Sequence, residues 1–403
     1  HRKARTRADM TLLSEERQTG NRQRDFRIVP FGTYTRTLAL TQAGHVGTVL
    51  TALIIISLTL DLAPRAERIV AEAGPAGPLG VTAYLLWYLV LRACDTITLV
   101  LPLACFLGLW WSEIAFTQSR ERIAIWNGGR APLQSIVPLL IVGTALGALQ
   151  ATALTVLRPT AVGIQIENGI GDYGRRFNRA LHPTERHWIT LPSHMIQARI
   201  DYRNARLVDV QLFALSDGGR MTSRVTAASA EPDGREGYWL FRNGSRWTAA
   251  GEGAVPDPTT RNEQSFAEER IALPLDPLWL SQFGIEARYL PQSVLSELAS
   301  RPHIADPSYR SWWHARMAQA FLPLGMMLMA AALAARYFAQ RVAFKPTILV
   351  GLAGYVMHVL NNVVVWLGHY GQFHPALAAW IVPLGLNICG VVLLVRLGRP
   401  QSR

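Results

Sequence analysis

Ile97-Thr-Leu-Val-Leu-Pro-Leu-Ala-Cys-Phe-Leu-Gly-Leu-Trp-Trp111 holds no Lys, Arg, Asp or Glu, and with its flanks it reaches the roughly 20 apolar residues that cross a bilayer. Working outward, the same pattern recurs at Val46–Leu60 and Ser135–Leu157 on one side, and at Phe321–Ala335, Thr347–Leu367 and Leu377–Val395 on the other. Half the chain is apolar and only 17% is charged, against about a quarter in soluble domains. Residues 160–310 carry no long apolar run and must sit in water. The expected fold is a polytopic α-helical membrane protein with six spans, three on each side of an inserted domain.

The inserted block changes period. His187–Leu191, His194–Tyr202, Leu207–Leu215, Met221–Ala228, Gly237–Arg242 and Arg246–Ala249 are short, partly alternating runs separated by turn clusters such as Asp217-Gly218-Gly219 and Pro232-Asp233-Gly234. Asn243-Gly244 reads as a type I′ hairpin turn. Strands at this spacing predict a sandwich, jelly roll or open barrel. Pro291 to Leu298 predicts a short helix ahead of the fourth span.

The formal charge of +12 is concentrated in alternate loops. Arg2, Lys3, Arg5, Arg7, Arg17, Arg22, Arg24, Arg27 and Arg36 precede the first span; Arg120, Arg122 and Arg130 follow the second; Arg336, Arg341 and Lys345 follow the fourth; Arg396, Arg399 and Arg403 end the chain. The positive-inside rule makes all of these cytoplasmic and places 160–310 across the membrane. Anionic head groups satisfy this charge, so no nucleic acid partner is implied. No cleavable signal is expected, because the first apolar run follows a long polar tail. The expected layout is a basic tail over 1–37, spans one to three over 38–158, a β-rich domain over 159–311, spans four to six over 312–397, and a cytoplasmic end at 398–403.

Within the spans, Gly44 and Gly47 suit close packing against a neighbouring helix. The apolar region Tyr84–Phe116 is too long for one straight crossing. It reads as a tilted lead-in at Ala83–Leu91 and a span at Thr96–Phe116, with Arg92 and Asp95 paired at i,i+3 between them. Trp312 and Trp313 fall where an aromatic belt belongs. Cys94, Cys105 and Cys389 all lie in or beside spans and read as small apolar residues. Cys94 and Cys105 are about 16 Å apart along a helix, too far for a disulfide.

Several chemistries are excluded. The only lysines, Lys3 and Lys345, precede Ala4 and Pro346, so no P-loop exists and any ATP must be bound by a partner. His182-Pro-Thr-Glu-Arg-His187 is broken by Pro183 and does not make a metal site. No Gly-x-Ser-x-Gly is present. No catalytic residue, cofactor or metal is assigned to this chain.

Thr117-Gln-Ser-Arg-Glu-Arg-Ile-Ala-Ile-Trp-Asn-Gly-Gly129 reads as a short amphipathic helix. Ile123 and Trp126 share one side, Glu121 sits near the positive N-terminal end, and Asn127-Gly128-Gly129 stops it; the bland alternative is a charged loop between spans. Leu99-Val-Leu-Pro-Leu-Ala-Cys-Phe-Leu-Gly108, followed by Glu121 and Gly129, resembles the lipopolysaccharide-export permeases, the LptF/LptG family. The resemblance runs from about Thr33 to near the end. Leu275-Asp276-Pro277 resembles the family's turn out of its β domain, and Gly371-Gln-Phe-His-Pro-Ala-Leu-Ala-Ala-Trp380 resembles its last outer loop. Of the two types, the chain is more similar to LptG. The basic tail before Thr33 departs from the family.

This resemblance implies a periplasmic jelly-roll-like domain and a bacterial inner-membrane location with both termini cytoplasmic. It implies a paralogous LptF-type permease, a dimeric LptB-type ATPase that binds ATP and Mg, and an LptC-type bridge protein. Residues 118–129 would be the coupling helix, in which Glu121, Arg122, Trp126 and Gly129 meet the ATPase. Arg65 and Arg68 lie where the family meets lipid A phosphates, a role suited to guanidinium groups; the alternative is arginines snorkelling to the interface. The first and fifth spans would gate an apolar cavity for acyl chains. Two rivals are a mechanotransmission permease, which usually has four spans, and a receptor or scaffold anchoring an exposed β domain.

Overall fold

The computed structural model describes residues 32–74, 77–121, 136–177, 185–216, 218–235, 237–249, 263–301, 304, 306–338 and 341–398. Helices α1 (Thr33–Leu62), α2 (Ala66–Glu72) and α3 (Gly77–Gln118) come first. Next come α4 (Ile136–Thr152), a π turn (Ala153–Leu157), α5 (Arg158–Glu167) and α6 (Gly171–Arg176). After the β domain come α7 (Pro277–Ser281), a 3₁₀ turn (Ala287–Tyr289), α8 (Gln292–Ser300), α9 (Pro307–Gln319), α10 (Leu322–Tyr337), α11 (Phe344–His369) and α12 (Pro375–Gly398). Among the described residues five helical stretches are long and apolar enough to cross a membrane, or six where the bent pair α9 and α10 counts as one span.

Two span readings need correction. The second span is not a lead-in plus a crossing but one helix of 42 residues, about 63 Å long at 1.5 Å per residue. Its surplus projects on the β-domain side, where Arg92 pairs with Asp95 at 3.4 Å and with a further carboxylate described below. The third span does not stop at Arg158-Pro159. Pro159 lies in the first turn of α5, where its missing N–H costs little, and the preceding π turn absorbs the ring.

Val46, Leu101, Phe106, Leu109, Leu139, Met326, Met327 and Phe338 form the bundle core. Small residues let the helices approach: a Cβ on Gly108 would lie 2.4 Å from the Val46 Cα, and one on Gly354 2.2 Å from the Phe106 ring. Gly44 and Gly47, in contrast, face open space with nothing within 4 Å. The small residue that brings α1 and α3 together is on α3. Pro102 leaves the Thr98 carbonyl without its helical donor, and buried Gln150 of α4 supplies one, Nε2 to O at 2.9 Å. Cys105 is buried in this core and Cys389 is exposed on α12. The fourth crossing bends by 49° between α9 and α10, just ahead of Pro323. Trp312 is buried rather than lipid-facing, its Nε1 donating to His369 Nδ1 at 3.2 Å.

The strands are β1 (His187–Thr190), β2 (His194–Asp201), β3 (Arg206–Leu215), β4 (Met221–Pro232), β5 (Tyr238–Thr248) and β6 (Glu263–Ala272). They form one antiparallel sheet in chain order, whose apolar face packs Ile196, Ile200, Leu207, Leu212, Trp239 and Phe241 against Leu273, Leu275 and Leu280. Among the described residues the strands therefore begin at His187 and end at Ala272, while 158–176 is largely helical.

Asn243-Gly244 is not a hairpin but lies inside β5, which pairs β4 and β6 on both sides of it. Asn243 takes a left-handed φ of 53°, which Asn tolerates, and a Cβ on Gly244 would lie 2.2 Å from the Thr226 carbonyl oxygen and 2.5 Å from the Phe266 ring. Asp209 of β3 has a φ of 55° beside the register shift opposite Gln197 and Arg199. Together these kinks bend the sheet. The predicted helix before the fourth crossing is α8. Asp276 begins the return to the membrane: it caps α7, accepting from the backbone of Leu278 and Trp279, and pairs with Arg301.

Candidate functional site

At the β-domain end of the bundle, the projecting part of α3 is clasped by α2, α5 and α6 around Ile69, Tyr88, Leu91, Ala161 and Ile170. A charge network runs through this clasp. Asp61, at the end of α1, accepts from Arg92 twice, at 2.9 and 2.8 Å, from Arg65 at 2.7 Å and from Tyr88 at 3.1 Å. The planar Arg92 fork suits such bidentate pairing. Asp95 accepts from Tyr173 at 2.8 Å. Arg158 Nε lies 2.7 Å from Asp95 Oδ1 without an aligned hydrogen bond, so charge rather than direction holds that pair. Glu72 receives Arg175 at 3.2 Å and the Gly171 backbone N–H at 3.2 Å.

Carboxylates and guanidiniums balance here: Asp61, Glu72, Asp95 and Asp172 face Arg65, Arg92, Arg158 and Arg175. Asp95 and Arg158 are buried, and such charges are tolerated only when paired. Partial burial alone would raise the Asp172 pKa, but hydrogen bonds and charge from Arg65 and then Arg175 outweigh it and hold the carboxyl below its ordinary value. Gly171 makes the clasp tight. It has a φ of 61°, and a Cβ there would lie 2.5 Å from the Tyr88 ring.

Arg65 and Arg68, the residues read as phosphate contacts, part company. The Arg65 guanidinium is held by Asp61 and Asp172, so a phosphate there would compete with two carboxylates. Arg68 is exposed on α2 and makes no ion pair among the described residues. The sequence reading found the pairing of Arg92 with Asp95 but missed Asp61, Arg158, Asp172 and Tyr173. The available signal was an ionisable residue at the end of an apolar run, which Asp61 and Arg158 both are.

At the opposite end, α1 and α3 border a cleft of about 380 Å³ lined by Tyr34, Thr41, His45, Ser112, Phe116 and Glu121. His45 stands edge-on to Trp111 at 5.1 Å and its Nδ1 is 2.8 Å from the Thr41 carbonyl oxygen. Glu121 is exposed just beyond α3. Arg122, Trp126 and Gly129, the rest of the expected coupling segment, lie outside the described residues, as do the basic tail before Gly32, His182 and the chain end after Gly398.

Long apolar faces remain uncovered on α1, at Ile55, Ile56 and Leu60, and on α11, at Leu349, Leu352, Val356 and Leu360. Gly44 and Gly47 lie on the uncovered side of α1.

A comparison with curated proteins finds no match. The sequence profile described as lipopolysaccharide export system permease LptF/LptG matches residues 36–396, from the first turn of α1 to the end of α12, and so takes in both groups of spans and the sheet between them. The profile is shared by LptF and LptG and does not divide them. On this extent of match, the chain belongs to the LptF/LptG family of lipopolysaccharide-export permeases and is a transporter subunit, not an enzyme.

Proposed function

We propose that this chain works in the bacterial inner membrane beside a second, related permease, takes lipopolysaccharide from the outer leaflet and passes it to a periplasmic bridge protein. ATP is hydrolysed by a separate cytoplasmic ATPase that docks on residues 118–129. The observation that carries the reading is the family match over 36–396, which takes in the whole sheet and all but the outermost residues of the bundle. Charge asymmetry of the loops supports a periplasmic β domain. The uncovered faces of α1 and α11 support a two-permease assembly in which acyl chains lie between these helices, and the outward Gly44 and Gly47 suit close contact with a partner helix. Exposed Arg68 is the better placed of the two candidate phosphate contacts. Five to six candidate spans among the described residues favour this reading over a four-span mechanotransmission design.

The test is purification from the native membrane with all partners retained. A cytoplasmic ATPase and a related permease are expected in the complex, and Glu121→Arg should release the ATPase while the two permeases stay together. Recovery of the chain without an ATPase, or a complex indifferent to Glu121→Arg, overturns the reading and favours an anchored receptor or scaffold.

A further inference from the structure

Arg316 lies on α9 and is 2% exposed. It has no carboxylate within ion-pair distance among the described residues. Its guanidinium instead donates to Gln292 Oε1 at 3.0 Å, the Arg288 carbonyl at 3.1 Å and the Leu290 carbonyl at 2.7 Å. All three acceptors belong to the strap 286–292, which leads from the β domain into α8. A buried cation solvated only by neutral dipoles depends on their orientation, since the cost of stripping it from water is offset only while they point at it. Arg316 and the docked strap therefore stabilise each other.

The strap is also the terminus of the charge network. Tyr289 lies in the chain between the two residues whose carbonyls Arg316 holds. Arg158 lies 5.2 Å from the Tyr289 ring, and the Tyr289 hydroxyl meets that of Tyr173 at 3.0 Å. Arg158 and Arg316 are both buried and both reach the strap at Tyr289, so two cations flank one residue. Only Arg158 has a counter-ion, Asp95, which is shared with Arg92; Arg92 in turn is held mainly by Asp61 at the end of α1.

We propose that Arg316 is a positioning residue which latches the β domain's return strap to the bundle, and that the line Asp61, Arg92, Asp95, Arg158 makes this latch sensitive to the position of α1. When α1 carries Asp61 away, Arg92 draws more on Asp95, Arg158 loses part of its counter-charge, and its repulsion of Arg316 loosens the strap. When α1 returns, the strap redocks. The assignment rests on the export reading only for its consequence, the timing of lipid hand-over to the β domain; the latch itself is a property of this chain.

The test uses the intact complex of permeases, ATPase and bridge protein in proteoliposomes. Hydrogen exchange of 286–292, ATP hydrolysis and lipopolysaccharide transfer to the bridge protein are read together. Arg316→Met is expected to speed strap exchange and lower transfer by about tenfold, within the usual range of coupling between sites. ATP hydrolysis should stay within about twofold, and Arg316→Lys, which keeps the charge but loses the fork, should recover part of the transfer. Asp61→Asn should speed strap exchange at a distance, whereas Asp209→Asn, which breaks an ion pair confined to the β domain, should not. Unchanged strap exchange in Arg316→Met, an equal response to Asp61→Asn and Asp209→Asn, or parallel loss of hydrolysis, transfer and thermal stability overturns the proposal. If the unmodified complex moves no lipopolysaccharide, the export reading fails, and strap exchange in the variants still decides the latch.

Discussion

Asp95 is 4% exposed and serves Arg92, Arg158 and Tyr173 at once. Asp95→Asn keeps the shape but leaves Arg158 buried beside a neutral amide. Breaking a buried pair from one side costs about 3–5 kcal/mol, so the variant should unfold in detergent at a markedly lower temperature, and adding Arg158→Met should restore most of the loss. Asp172 gives a pH prediction. Its pKa is lowered in the folded chain from the ordinary 3.8, so its contribution is complete above that value and disappears as pH falls through the lowered one. Thermal stability between pH 5 and pH 8 should therefore be the same for wild type and Asp172→Asn in its slope, with the acid limb below about pH 4 flattened in the variant. At this scale the sequence disclosed only what is local. Arg92 and Asp95 are i,i+3 neighbours and legible; their partners Asp61, Arg158 and Tyr173 meet them only because helices distant in the chain converge, which no local spacing reveals.

Glycines separate element from element. A methyl on Gly108 has no room against the Val46 backbone, while Gly47 has nothing within 4 Å. Gly108→Ala should push α1 from α3 and cost about 1–3 kcal/mol. Gly47→Ala should leave the isolated chain's thermal midpoint unchanged and weaken only the assembly with a second permease, a difference that paired melting and co-purification measurements would show. Likewise Gly244→Val cannot keep both the Thr226 carbonyl and the Phe266 ring in place, so the β domain should lose protease resistance while the helices hold.

Apolar windows located every crossing, because desolvation of the backbone leaves little else for such runs to do. Asn243-Gly244 misled because the left-handed preference of Asn and the absent Cβ of Gly serve a kink as well as a turn, and only the neighbouring strands decide. Strand β6 was missed because charged residues dominate it: Glu263, Glu268, Glu269 and Arg270 outnumber its large apolar residues, Phe266 and Ile271, which do not alternate with period two. The segment 118–129, proposed to dock the ATPase, reads in the sequence as an amphipathic pattern ending in glycine; of it only 118–121 are described, and Glu121 is exposed there.

For the whole molecule, the match over 36–396 and the five to six candidate spans among the described residues describe a permease with exposed apolar faces on α1 and α11, among others. The central claim is that lipopolysaccharide occupies these faces. Site-specific photo-crosslinking in the intact complex tests it most directly, with the reactive group placed in turn at Ile55 on α1, Val356 on α11 and Ile388 on α12, all exposed to a similar degree. The account predicts lipopolysaccharide adducts at Ile55 and Val356 that diminish when ATP is supplied, and none above background at Ile388. Equal labelling at all three positions, or labelling at Ile388 alone, would contradict it.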